Sequence, residues 1–179
     1  MEPGKIVTVF GSSRTRSSTK AYEEAYQLGR LLAEAGFIVC NGGYRGIMEA
    51  SAKGAKEAGG KTVGITAKAF RNASPNPWID IESRAESYME RLMVITCVAD
   101  AFVVLKGGIG TLAETTLVWT LTAVGELQKP IVLVGDAWQK TLDGLSKHLL
   151  ITRRDMEMLK LVETPKEAVE VLVIERCLT

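Results

Sequence analysis

Ala101-Phe-Val-Val-Leu-Lys-Gly-Gly-Ile-Gly-Thr-Leu-Ala-Glu114 joins three local signals in one short run. The apolar residues from Ala101 to Leu105 predict a fully buried strand. Gly107, Gly108 and Gly110 then break it, and helical periodicity resumes. A strand, a glycine turn and a helix together aim free backbone N–H groups and the positive end of a helix dipole at one point, a natural seat for a phosphate. Thr111 adds a hydroxyl in the first helical turn.

Glu114 is the unexpected residue of this run. Leu117, Leu121 and Val124 recur at three- and four-residue steps, which predicts the apolar stripe of the helix. Glu114 lies three residues before Leu117 and is expected to point inward with it, close to the phosphate turn. A carboxylate there repels an anion, yet it suits chemistry on a group attached to the phosphate, such as a sugar. The competing reading is a solvated first-turn glutamate that complements the helix dipole.

Outward from this run, strand and helix signals alternate. Strands are expected at Lys5–Phe10, Phe37–Cys40, Thr62–Thr66, Pro130–Val134 and Leu159–Val162. Helices are expected at Ser18–Ala35, Gly46–Ala58, Arg84–Ala99 and Gln139–Leu150, and again from Pro165. The segment Ala67–Ser83, with Pro75, Pro77 and Trp78, reads as an irregular loop over a site or an interface. Such alternation predicts an α/β domain spanning residues 1–179, a single Rossmann-like doubly wound parallel sheet with helices on both faces. Ligands of such sheets bind beyond the carboxyl ends of the strands at the switch point. Three turns stand at strand ends and are expected to converge there: Gly11-Ser12-Ser13, Gly42-Gly43 and Gly107-Gly108.

Composition narrows the function. The 179 residues carry a formal net charge of +1, which gives no electrostatic footprint for nucleic acid or an anionic membrane. No apolar run reaches spanning length, and the N-terminus lacks the pattern of a secretory signal. Cys40, Cys97 and Cys177 are odd in number and widely spaced, which predicts reduced thiols in a cytoplasmic protein without a metal site.

Rival motifs are weaker. Gly108-Ile-Gly110-Thr-Leu-Ala113 fits the dinucleotide pattern G-x-G-x-x-A, with Asp136 as a ribose ligand. That fingerprint normally opens the first strand–helix unit, whereas here it falls in the fourth of the expected units. Gly54 to Thr62 imitates a Walker loop with the wrong glycine spacing and on the wrong side of a strand. His148, the one histidine, reads as structural or superficial.

Lys106-Gly-Gly-Ile-Gly-Thr-Leu-Ala-Glu114 closely resembles the P-G-G-x-G-T-x-x-E signature of the LOG ("Lonely Guy") family, whose members are often mislabelled lysine decarboxylases. Val9-Phe-Gly-Ser-Ser13 resembles the family's first strand and turn, and Asn41-Gly-Gly-Tyr-Arg-Gly-Ile-Met48 its G-G-G-x-x-G-L-M segment. Arg91 falls on the arginine of the family's M-x-x-R-K motif. The likeness covers nearly the whole chain. It implies a phosphoribohydrolase that cleaves cytokinin riboside monophosphates, or AMP, to free base and ribose 5-phosphate, without a cofactor and as a homodimer or higher homo-oligomer. It also implies site residues. Glu114 and Arg91 would be catalytic. Gly11, Ser12, Ser13, Asn41, Gly42, Gly43, Gly46, Met48, Lys106, Gly107, Gly108, Ile109, Gly110 and Thr111 would hold the nucleotide and its phosphate.

That implication agrees with the chemistry of the residues. Cleaving an N-glycosidic bond builds positive charge on the ribose, which an inward carboxylate stabilises. An arginine supplies a fixed fork for phosphate or for orienting the sugar, its plain alternative being a helix-surface role. The chain departs from the family pattern at Lys106 (proline), Leu92 (lysine), Glu49 (a small residue) and Asn41 (glycine). Relatives of this fold also serve as non-catalytic nucleotide or molybdenum-cofactor binders, so a carrier or sensor is the competing class. An exposed Trp119 and the stretch Thr116–Val124 are candidates for a subunit interface or for core packing.

Overall fold

The computed structural model describes residues 4–71 and 73–178, with side chains described as far as residue 175. Seven strands form one sheet: β1 (Ile6–Phe10), β2 (Ile38–Asn41), β3 (Thr62–Ala67), β4 (Ile81–Ala85), β5 (Ala101–Val104), β6 (Ile131–Val134) and β7 (Leu159–Val162). Their order is β4-β3-β2-β1-β5-β6-β7, and every pairing is parallel. The chain works outward from β1 to one edge, then returns to β5 at the other side of β1. The switch point therefore lies between β1 and β5, which is where ligands of such sheets bind.

The helices are α1 (Lys20–Glu34), α2 (Ile47–Glu57), α3 (Tyr88–Cys97), α4 (Ile109–Ala123), α5 (Asp136–His148), α6 (Arg153–Glu157) and α7 (Pro165–Leu178). Period-two alternation in the strands divides the core between the two faces of the sheet. Val7, Val9, Val103, Val132 and Val134 pack with Leu28 and Leu32 of α1, Ala50 of α2 and Leu172 of α7. Phe10, Phe102, Val104, Ile131 and Leu133 point the other way, against Ile95 of α3, Val118 of α4 and Leu142 of α5. Phe10 and Phe102, neighbours across the switch point, stack with ring centroids 5.7 Å apart.

Two elements were not expected and a third begins later than expected. Ile81–Ala85 pairs with β3 as an edge strand, so the expected irregular segment ends at residue 80 and the glycine turn follows the fifth strand. Four of its five residues are exposed, so no apolar alternation marks it and only backbone pairing makes it a strand. The following helix accordingly begins at Tyr88, not Arg84, with Ser87 accepting a hydrogen bond from Glu90 N at 3.1 Å. The short helix α6 was not expected. Its capping box, Thr152 with Asp155, starts it in a stretch with no buried residue.

Among the described residues no helix is long and apolar enough to cross a membrane. Cys40 and Cys97 are free thiols. Burial pushes the Cys40 thiol up to about 12, against a weaker pull from Thr8 and Arg91. The Cys177 side chain lies outside the described residues. His148 is exposed in the last turn of α5.

Candidate active site

The three glycine-bearing turns meet over the switch point and are tied through Ser12. Its N–H donates to Lys106 O at 3.4 Å, and its carbonyl accepts from Ile47 N, the first residue of α2, at 3.0 Å. The turns border a cavity of about 780 Å3, within the range of small-molecule sites. One wall comes from Gly11, Ser12, Ser13 and Arg14 after β1, another from Gly42, Tyr44, Arg45 and Met48 between β2 and α2. Gly108, Ile109, Gly110, Thr111 and Glu114 contribute the start of α4, and Tyr88 and Arg91 the inner face of α3.

No side chain caps α4, whose N-cap is Gly108. The first N–H groups of an α-helix have no partner within it, so this end presents free donors and a positive dipole to the cavity. Ile109, at its first position, is 83 % exposed.

Glu114 is buried at the cavity floor, but not for the reason expected. The buried residues of α4 are Thr111, Glu114, Thr115, Val118 and Trp119. Leu117 and Leu121 are half-buried, and Val124 is 64 % exposed. The inward face is thus set by Val118, Trp119 and the threonines, not by the leucine stripe. Trp119, a candidate for a subunit interface or for core packing, is buried and donates its indole N–H to Asp155 O at 2.8 Å, which ties α4 to α6.

Arg91 reaches Glu114 from the facing helix, with Nη1 3.1 Å from Oε1. Its Nε donates to Ile65 O at 2.7 Å, at the end of β3, so the guanidinium is anchored on both sides. Both side chains are buried. Burial pushes the Glu114 carboxyl up from its ordinary value, and the charge and hydrogen bond of Arg91 oppose it. Gly42 makes room for this arrangement, since a Cβ there would collide with Arg91 Nη2 and would crowd the Met48 sulfur at 2.7 Å. The glycine requirement is one of close approach by a guanidinium.

Five of the expected binding residues lie off the cavity wall and shape it from behind. Asn41 is fully buried. Its Nδ2 donates to Met48 O at 2.9 Å and to Ser51 Oγ at 3.2 Å, while its Oδ1 accepts from Gly43 N at 2.8 Å. Asn41 therefore fixes the turn in which Gly43 and Gly46 take φ of +77° and +70°. Gly107 packs against the Thr111 side chain. Lys106, expected beside the phosphate, borders a second cavity with Asp136 and Glu163, and only its carbonyl joins the first site.

Sequence reasoning did not single out Arg14, Tyr44, Arg45, Phe70, Asn76 or Tyr88, all on the cavity wall, and it named Glu49 as a departure only. The loop between β3 and β4 brings in Phe70 and Asn76. Asn76 holds it in place, its Nδ2 donating to Gly43 O at 3.0 Å and to Tyr44 O at 2.8 Å. The Tyr44 hydroxyl in turn accepts from Ala67 N at 2.9 Å and donates to Ala67 O at 3.2 Å. The prolines and tryptophan of this loop marked it as an irregular loop over a site or an interface, and it does border the cavity, but nothing local predicted which of its residues reach the wall.

Comparison with known proteins now places the chain. The model of the SLOG cluster4 family, a LOG-like family, matches residues 4–169. The chain belongs to that family. This SLOG cluster4 protein is 34 % identical over 155 residues to the cytokinin riboside 5′-monophosphate phosphoribohydrolase of Mycobacterium tuberculosis, covering 82 % of each chain. It is 35 % identical over 130 residues to an uncharacterized protein of Archaeoglobus fulgidus, covering 72 % of this chain and 83 % of that one. Among solved structures, the molybdenum cofactor binding protein of Rippkaea orientalis superposes with a TM-score of 0.79 over the whole of both chains at 23 % identity, a likeness of fold.

Proposed function

We propose that this SLOG cluster4 protein is a phosphoribohydrolase that cleaves the N-glycosidic bond of purine nucleoside 5′-monophosphates, of the adenine or cytokinin type. The observation that carries the reading is the buried Arg91–Glu114 pair, 3.1 Å apart, opening into the cavity that the uncapped N-terminus of α4 also borders. A buried ion pair gives little net stability because desolvation offsets its attraction, so its position in a cleft points to chemistry. The likeness to relatives named for this activity supports the same reading.

In this mechanism the 5′-phosphate sits on the N–H groups of Gly108, Ile109 and Gly110, with the Thr111 hydroxyl beside it. The phosphate and the cavity walls fix the ribose over Glu114. As the C1′–N bond breaks, its electron pair leaves with the base and positive charge develops on the ribose, as in other glycosyl transfers. The Glu114 carboxylate stabilises that charge and orients the water that adds to C1′, and the proton this water loses balances the one the departing base gains. Arg91 favours the ionised carboxylate against the effect of burial and holds it in position, being itself fixed on Ile65 O.

The test is product analysis with AMP and with an isopentenyl-type adenosine monophosphate. Free base and ribose 5-phosphate appearing in equal amounts support the proposal. Tight binding without base release across a broad nucleotide panel would contradict it and leave a carrier or sensor.

A further inference from the structure

Part of the cavity wall is aromatic. Phe70, from the loop after β3, meets Tyr44 edge-on with centroids 5.3 Å apart and planes at 72°. It meets Tyr88 at 6.0 Å and 89°. The Arg91 guanidinium carbon lies 5.8 Å from the Phe70 centroid, so the cluster begins where the Arg91–Glu114 pair ends. Edge-to-face pairs of this kind hold rings in defined orientations. The Tyr44 hydroxyl is tied to both backbone atoms of Ala67, three residues before Phe70, which fixes one side of the cluster. Tyr88 stands one turn before Arg91 on the same helix, at the position that is methionine in the M-x-x-R-K motif.

Phe70 is 39 % exposed although two other rings and a guanidinium crowd it. A large apolar surface left open inside a polar cleft suits a planar, apolar-faced ligand. The Asn76 amide beside the rings offers no free group for reading a base edge, since its Nδ2 is committed to Gly43 and Tyr44 and its Oδ1 accepts from Trp78 N. Stacking on aromatic side chains needs no such readout and tolerates different bases, since every base has a π-face. A group on C1′ of a ribose held at Glu114 lies within reach of these rings.

We infer that Tyr44, Phe70 and Tyr88 form the seat of the substrate's planar heteroaromatic base, selecting by ring shape instead of by a base-edge code. This rests on the phosphoribohydrolase reading for the place of the ribose. Burial and the nearby Glu114 carboxylate push the Tyr88 phenol up, against the pull of Arg91.

The experiment compares equilibrium binding of AMP and of ribose 5-phosphate by calorimetry, in a Glu114→Gln background so that nothing turns over. Phe70→Ala and Tyr88→Leu are expected to weaken AMP about tenfold while ribose 5-phosphate changes by less than about twofold. Phe70→Trp and Tyr88→Phe keep a ring and are expected to keep AMP affinity. Equal weakening of both ligands, or unchanged AMP affinity in Phe70→Ala and Tyr88→Leu, would overturn the base seat. Failure of the hydrolase reading shows separately, as absence of base release by the unaltered protein.

Discussion

At Glu114 two opposing effects meet on one carboxyl. Burial favours the neutral form, and Arg91 favours the ionised form through charge and a hydrogen bond at 3.1 Å. The net shift is upward from the ordinary value of 4.5. If the ionised form acts, activity is lost as pH falls through the raised value, so the acid limb of kcat/KM lies above pH 4.5. Arg91→Gln removes the group that lowers it, so the residual activity of that variant should lose its acid limb at higher pH than the unaltered protein. A limb that moves to lower pH, or stays in place, would show that Arg91 does not control Glu114. Both residues were legible in the sequence through spacing that resembles a known signature. The argument from Leu117, Leu121 and Val124 gave the right direction for Glu114 on a wrong face. The stripe of Leu117, Leu121 and Val124 is only partly buried or exposed, whereas Thr111, Thr115, Val118 and Trp119 are what α4 buries beside Glu114. Phe70 and Tyr88 were not legible, because their meeting depends on where a loop of irregular backbone docks.

Among the elements, α1 and α2 are pressed together so closely that their contact has no room for side chains at two points. A Cβ on Gly29 would strike the Ser51 carbonyl, and one on Gly54 would strike Tyr26 O. Alanine is the better helix former by about 1 kcal/mol, yet overpacking of this kind costs roughly 1–3 kcal/mol. Gly29→Ala should therefore lower the urea midpoint. Gly144→Ala, on α5 where nothing lies within 4 Å, should raise it. A stabilised Gly29→Ala would mean that the two helices part without loss. The same pair of helices carries Ile47 to Ser12 and so sets one wall of the site. Elements with strong periodicity were read from sequence to within a few residues. The edge strand Ile81–Ala85 and the helix Arg153–Glu157 were not, since neither shows an apolar face and each is made by backbone pairing or by a cap.

For the molecule as a whole, alternating strand and helix signals were enough to read the doubly wound parallel sheet, because buried parallel strands leave continuous apolar runs such as Ala101–Val104 and Ile131–Val134. The topology then explains why residues distant in sequence share one site. Working outward from β1 and returning at β5 brings the turns after β1, β2 and β5 together above the switch point, with α3 and α4 supplying Arg91 and Glu114. What the sheet contributes to function is this convergence. The most direct measurement of the central claim is adenine release from AMP by Glu114→Gln, set beside its AMP affinity. The expected result is a fall in kcat of about a hundredfold or more, as when a positioned transition-state stabiliser is removed, with binding retained within about threefold. Undiminished release by Glu114→Gln would contradict the account.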